Sequence, residues 1–530
     1  MRCVAVLLFL GTALGCTGVI GDADDPVALE PGREGAPVLC EGERPVGIRM
    51  LRRLTVPELQ TTLRTIFSMP DLALDLPLDP VNEAGLHTDE ALLVVRPRFA
   101  AGVHAAALEI GASVASRRDE FSSCAEGESC AMRFVEEWGL RLYRRPLTRA
   151  ERERYADLYA AMNDAGEPFE TFVQWATVAL VDSPHTLYRS ELGEETRGRY
   201  ALTDYELATS LAYSFTGGPP SDALLMDAAR GRMSDPRAIA ESLAWDESGA
   251  PTSAYRAVVH RFAEQWLRLP AIGSVGKDDP AFTAEVRAAM REETSRYLDA
   301  VLFEERGTFA DLLLSRETFL NGTLARFYGF GDESATEFQR TVRPAGAGVG
   351  LLAQGSLLAV RATNAHSSPT RRGLLVRRDL LCQPVPPAPV GVDVFPETDA
   401  ETTRERHQVL VDEDFCAGCH RLMEPIGFAF EGFDATGRQR IDDNGHPIDA
   451  SGVIHLARSE IAFDGPEALA STVAELDRAQ ECMTSLLGAY AVGLDPERAA
   501  CLFETHAELP VAERLVEVAG SAHFRERVLE

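Results

Sequence analysis

The chain has 530 residues, too many for one hydrophobic core, and 45% of them are apolar, enough to pack several helical units. Acidic residues outnumber basic ones, 82 Asp and Glu against 52 Lys and Arg, for a net charge of -30. A field of that sign repels nucleic acid and anionic lipid, which excludes nucleic-acid binding and leaves a solvated surface or a basic partner.

The first residues read as an export signal over 1–15: Arg2 supplies the charge, Val4 to Leu10 the apolar core, and small residues follow. Ala13-Leu14-Gly15-Cys16 resembles a bacterial lipobox, which makes Cys16 the lipidated N-terminus. The apolar run is too short to span a bilayer, and Gly346 to Val360 is too short and too rich in Gly and Ser. No other stretch is read as a span. The expectation is an exported protein, lipid-anchored to a bacterial membrane on its periplasmic or cell-surface face. Export permits disulfides. With Cys3 in the signal, Cys16 lipidated and Cys416 and Cys419 set aside, six of the ten cysteines remain, consistent with three bridges. Proximity predicts Cys124–Cys130 and Cys482–Cys501, which leaves Cys40–Cys382.

Residues 16–46 are rich in Gly, Pro and acid and read as a flexible tether. Three Leu-Thr-x-x-Glu signals then open helices: Leu54-Thr55 to Glu58, with Pro57 in the first turn, Leu147-Thr148 to Glu151, and Leu202-Thr203 to Glu206. Helical apolar spacing continues over Phe134 to Tyr143, Phe169 to Val181, Leu207 to Phe215, Tyr255 to Leu267 and Phe282 to Phe303. Alternating strands are scarce. The fold expected is mainly α: a multidomain helical body with a small cytochrome c-like haem segment near the C-terminus. The partition expected is an N-terminal helical region at 47–125, helical domains at 126–195 and 196–335, a haem-binding segment at 336–470 and a C-terminal helical domain at 471–530. The proline-rich run Gln383 to Pro389 is a stiff connector ahead of the haem segment.

That segment holds Cys416-Ala417-Gly418-Cys419-His420, the attachment pattern of a c-type haem. Two thiols three positions apart each add across one haem vinyl group, and the next residue, His420, reaches the iron as proximal ligand. A zinc site would want a second Cys or His pair, which the chain lacks, and a redox dithiol is usually read beside a βαβ pattern. For the sixth iron ligand, Met423 follows too closely on His420. Met483, 63 residues on (483 minus 420), has a usable spacing, and His446 and His455 are the bis-His options. Ile426, Phe428, Phe430 and Phe433 read as haem wall or as core, and Arg371 and Arg372 as propionate partners or a surface pair. His366 is a loop histidine nearby. Asp442-Asp443-Asn444-Gly445 reads as a hairpin turn, since the EF-hand ligand spacing is missing.

The order of motifs here resembles the multidomain cytochrome-like proteins abundant in planctomycetes and myxobacteria, built from consecutive domains of unknown function. The residues are Ser368-Pro369-Thr370-Arg371-Arg372-Gly373, the proline-rich connector, Cys416 to His420, Pro425-Ile426-Gly427-Phe428, Glu431 to Arg438 and Ile448 to Gly452. Upstream, Arg53-Leu54-Thr55, Tyr143 to Thr148 and Leu202 to Ala208 look like that family's domain openings; downstream, Tyr490-Ala491-Val492-Gly493 looks like its last segment, with Leu494 where Arg is usual. The resemblance implies an exported haem protein and little about a substrate. From the residues, one covalent haem c and no second catalytic constellation point to electron transfer with an unidentified redox partner protein. A peroxidase-like oxidoreductase with an open haem face and a non-catalytic surface binding or assembly protein are the alternatives.

Overall fold

The computed structural model describes residues 47–196, 198–386, 399–457, 459–500 and 502–528. The expected signal peptide, lipidated Cys16, the tether and Cys40 lie outside these residues, as do Cys501 and the end of the proline-rich connector. The described chain is mainly α, with 24 α-helices and five small sheets.

The three Thr-x-x-Glu signals act as their chemistry requires. Thr55, Thr148 and Thr203 cap the helices Val56–Phe67, Arg149–Asp164 and Asp204–Thr216. Each hydroxyl accepts from the backbone N–H of the Glu three residues on. Each of those carboxylates accepts in return from the cap N–H, at 2.8, 2.7 and 2.9 Å. The same box closes at Thr308 with Asp311 and at Thr402 with Glu405.

Helices Val56–Phe67, Pro97–Ser116, Glu128–Tyr143, Arg149–Asp164 and Phe169–Val181 enclose one hydrophobic core, so residues 47–125 and 126–195 share it. A larger core takes in Leu86, runs from Leu202 to Phe524 and gathers the middle helices, the Ile426 to Phe433 segment, and helices Asp477–Val492 and Val511–Gly520. A third, smaller core surrounds Met290, Leu320 and Leu324. One reading needs correction. By length and composition, helix Pro97–Ser116 is apolar enough to cross a membrane. Its Phe99, Val103, Ala107, Ile110 and Val114 are buried, and it packs along Phe169–Val181, which makes it a core helix of the first unit.

Short strands tie distant segments together. Met50–Arg53 lies antiparallel to Tyr188–Glu191, with Arg52 opposite Arg189. Glu526–Val528 sits between Gly47–Ile48 and Arg199–Ala201, so the two ends of the described chain meet in one sheet. The expected turn is present: Asp442–Asp443 pairs with His446–Pro447 around Asn444 and Gly445, both at positive φ. A further hairpin, Ser451–Leu456 with Ser459–Asp464, has no counterpart in the sequence-based expectation.

Cys124–Cys130 is bridged as expected. The other two expected pairings are corrected: Cys382 pairs with Cys482, so neither Cys482–Cys501 nor Cys40–Cys382 forms. The turn Leu375–Leu380 packs against helix Asp477–Val492, which carries Cys382 to Cys482 across 100 residues.

Candidate functional site

Cys416, Cys419 and His420 lie on the short helix Asp414–His420, which packs back on helix Thr403–Asp412 across Glu413. Helical spacing of three puts both sulfurs on one face. Both thiols are free and half-buried. Burial pushes the Cys419 thiol up, and the neighbouring Cys416 and Glu424 add to the rise.

His420 is held from below. Its Nδ1 lies 2.7 Å from Oε1 of Glu424, four residues on. That carboxylate is fully buried, and Oε1 also accepts from the Thr370 hydroxyl at 2.5 Å and faces His407 Nδ1 at 3.4 Å. Burial alone would raise the Glu424 carboxyl; hydrogen bonds from His407 and His420 outweigh it, and the group stays below the usual carboxylate range. An acceptor-only carboxylate assigns the His420 proton to Nδ1, which leaves Nε2 as the nitrogen with a free lone pair. Among the described residues Nε2 has no protein partner.

Two glycines set the depth of Glu424. Helix Pro369–Leu374 lies directly on helix Glu424–Gly427. A Cβ on Gly373 would overlap the carbonyl of Met423, and one on Gly427 would overlap the carbonyl of Pro369. Only bare backbone permits that approach, and it delivers the Thr370 hydroxyl to Glu424. Arg372 fixes the following segment. It is fully buried, and its guanidinium donates to the carbonyls of Phe430 at 2.8 Å, Phe433 at 2.7 Å and Asp434 at 2.5 Å. The expected surface or propionate role of Arg372 is therefore corrected: the residue is fully buried and its Nη1 and Nη2 are spent on backbone carbonyls. Arg371 stays outside and donates to Ala362 O at 3.1 Å.

Ile426, Phe428, Phe430 and Phe433 are all buried. Ile426, Phe430 and Phe433 belong to the large core, whereas Phe428 lies beneath the Arg404 guanidinium, 4.3 Å from its ring centre. Glu431 accepts from Ser367 at 2.9 Å and Arg440 at 2.8 Å, yet burial keeps its carboxyl above the usual range.

The remaining sequence candidates are dispersed. Met483 is buried in the large core on helix Asp477–Val492, which packs against Gly465–Glu475, Pro496–Ala499 and Val511–Gly520. Met423 is buried under Gly373. His446 pairs with Glu401 at 2.7 Å and His455 with Glu460 at 2.9 Å. His366 is exposed and donates its backbone N–H to Thr363 at 2.9 Å. Glu424, His407 and Thr370 were not anticipated. Glu424 had a signal, an acid one helical turn after the motif histidine; Thr370 stood in the Ser368 to Gly373 motif without a role, and His407 had none, because the chain brings them in from 50 and 13 residues before His420 (420 minus 370, 420 minus 407).

No curated protein and no solved structure matches the chain. Three family models do match, in sequence: residues 130–191 match PSD5, protein of unknown function (DUF1595); residues 202–330 match PSD4, protein of unknown function (DUF1592). Residues 348–443 match PSCyt3, protein of unknown function (DUF1588). The chain therefore carries three consecutive domains similar to families of unknown function, and Cys416, Cys419 and His420 fall in the one whose name points to a cytochrome-like domain.

Proposed function

We propose that this protein is an exported, lipid-anchored electron carrier, with one haem c joined to Cys416 and Cys419 and His420 as its proximal ligand. The observation that carries the reading is the Glu424–His420 contact beside two free thiols on one helical face. A carboxylate on the far nitrogen of a histidine is the usual support for an imidazole that binds metal through the other. The residues present fit the group: two sulfurs to bond its edge and one oriented imidazole to meet its iron.

The bound group would supply one-electron chemistry. This chain's residues do the rest. Cys416 and Cys419 would fix the edge, Glu424 accepts from Nδ1 of His420 and so orients the ring and makes Nε2 the better donor, and the close approach of Gly373 and Gly427 to facing backbone helps bury Glu424. Arg372 holds the Phe430 to Asp434 backbone in place beside them. The two disulfides are compatible with the export that the N-terminal pattern predicts. The bridge at Cys382 stands just ahead of the site segment. Met483 has a usable spacing for a sixth ligand but is packed into the large core, so the sixth position is left open in this reading.

The test is expression of the full chain with a cytochrome c maturation system, followed by a haem stain after denaturing electrophoresis. A stained band that Cys416→Ala/Cys419→Ala abolishes is the expected result. A folded, exported and unstained protein overturns the reading. In the stained protein, a low-spin spectrum is expected for electron transfer; a high-spin wild type that reacts with peroxide would replace it by oxidoreductase chemistry.

A further inference from the structure

Far from the thiol helix, two arginines face each other. Arg52 and Arg189 are direct partners across the strand pair Met50–Arg53 and Tyr188–Glu191, and each is almost wholly buried. Like charges opposite each other on one sheet face repel, and burial sharpens the repulsion. Arg52 satisfies its Nη1 and Nη2 on the carbonyls of Ala491 at 2.8 Å and Tyr490 at 3.3 Å. Arg189 has nothing equivalent. Among the described residues none of its three nitrogens has a hydrogen-bond acceptor; its neighbour is the face of Tyr213, 5.1 Å from the guanidinium carbon. A buried guanidinium with no acceptor is costly, and native structures supply a partner for such a group.

The space for one is present. A cavity of about 340 Å³ is lined by both arginines. Its charged lining is Arg52, Arg189 and Arg261 against Glu58, Asp79 and Glu264. Two of these acids are already paired with arginines outside the lining, Asp79 with Arg53 at 2.7 Å and Glu264 with Arg291 at 2.6 Å. Glu58 spends one oxygen on the Thr55 cap, and its single charge offsets only part of those of Arg189 and Arg52. Positive charge is therefore in excess here, in a chain whose net charge is -30. Burial and the facing Arg189 push Arg52 down to about 10, another mark of crowded cations. Tyr213 and Tyr490 add aromatic wall.

We propose that this cavity binds a small organic anion, whose carboxylate or phosphate group takes the fork of Arg189 while its apolar part lies against Tyr213 and Tyr490. The fork geometry suits a planar or tetrahedral oxyanion through two parallel hydrogen bonds. The volume lies in the range of small-molecule sites and leaves room beyond the oxyanion itself. The inference stands apart from the haem reading, since none of these residues touches the thiol helix.

The experiment is titration calorimetry and thermal melting of the full-length protein with benzoate, phenyl phosphate and, as the neutral control, benzyl alcohol. Saturable binding of one anion at a single site is expected, with a raised melting temperature and no response to benzyl alcohol. Benzoate and phenyl phosphate separate the carboxylate from the phosphate source. Arg189→Met is expected to abolish binding, and its own anion-free melt is the reference, because losing Arg189 also uncovers the buried Glu58 and Glu191 carboxylates. Should Arg189→Met fail to fold, Arg189→Lys keeps the charge and loses the fork, and affinity is expected to fall roughly 10- to 100-fold. If neither anion binds, or the variant that folds binds like wild type, the proposal is wrong.

Discussion

Arg372 shows how much a single side chain carries. Its guanidinium is the donor for the carbonyls of Phe430, Phe433 and Asp434. Arg372→Met would leave those groups buried and unpaired, an expected loss of about 3–5 kcal/mol. Arg371→Met, at the exposed neighbour, is expected to stay within about 0.5 kcal/mol. Urea unfolding of the two variants checks the contrast, and similar midpoints would remove Arg372 from its role. Nothing in Arg371-Arg372 distinguishes the two, because helical phase decides which one turns inward. Glu424 was more legible, standing one turn after His420. If the proposed haem is bound, Glu424→Gln is expected to weaken the hold of His420 on iron about 10- to 100-fold, seen as easier displacement by protons, the histidine-ligated spectrum being lost at a higher pH on acid titration. Unchanged displacement would make Glu424 a packing residue only. Glu151 offers a pH test. Hydrogen bonds from Arg145 hold its carboxyl down to about 2, against an ordinary value of 4.5. A depressed carboxylate adds stability that is full above the ordinary value and lost as pH falls through the folded one. Wild type is therefore expected to melt above Glu151→Gln at pH 7, with the gap closing between about pH 4.5 and 2. A gap that persists at pH 2 would refute the link.

At the scale of elements, the site depends on how closely two short helices approach. Gly373→Ala or Gly427→Ala sets a methyl against a carbonyl that belongs to backbone and has little freedom to move. Overpacking of this kind costs about 1–3 kcal/mol, and the rigid neighbour argues for the upper end. The separation should also loosen Thr370 and Glu424. In protein made without haem maturation, faster reaction of Cys416 and Cys419 with a thiol reagent, at a concentration of urea that leaves the fold intact, is the expected readout; unaltered thiol rates would mean that the two helices do not position the motif. The elements differ in how far they could be read in advance. Capping boxes are local, a hydroxyl and an acid three residues apart, and the three read from Thr55, Thr148 and Thr203 formed. The hairpin Ser451–Asp464 escaped because no Gly, Pro or Asn marks its turn between Leu456 and Ser459. Helix Pro97–Ser116 escaped because its many alanines and glycines blur the apolar stripe.

Across the whole molecule the acidic surface surrounds an arginine-rich interior. Lys277 is the only lysine, so 51 of the 52 basic residues are arginine (52 minus 1). Arg52, Arg189, Arg372 and Arg527 are among the largest fully buried side chains. A guanidinium reaches several carbonyls at once and keeps its charge when buried, which an ammonium does poorly. Arg527 uses this to pair with Glu191 at 2.6 Å, holding the last strand to the first unit. Such long-range closures are what local sequence leaves out, and the disulfides show it. Cys124–Cys130 closes six residues and was readable by proximity; Cys382–Cys482 closes 100 and was not. Chain entropy assigns about 2 kcal/mol to the short loop and about 4–5 kcal/mol to the long one. Two cores need not melt together, so one midpoint is insufficient. Trp138 lies in the first core and Trp266 in the large one, and each kept as a single tryptophan reports on its own unit. Cys382→Ser/Cys482→Ser is expected to lower the Trp266 transition by more than Cys124→Ser/Cys130→Ser lowers the Trp138 transition. Equal shifts would mean that the large core, already closed by its own packing and by the terminal strands, gains little from the bridge.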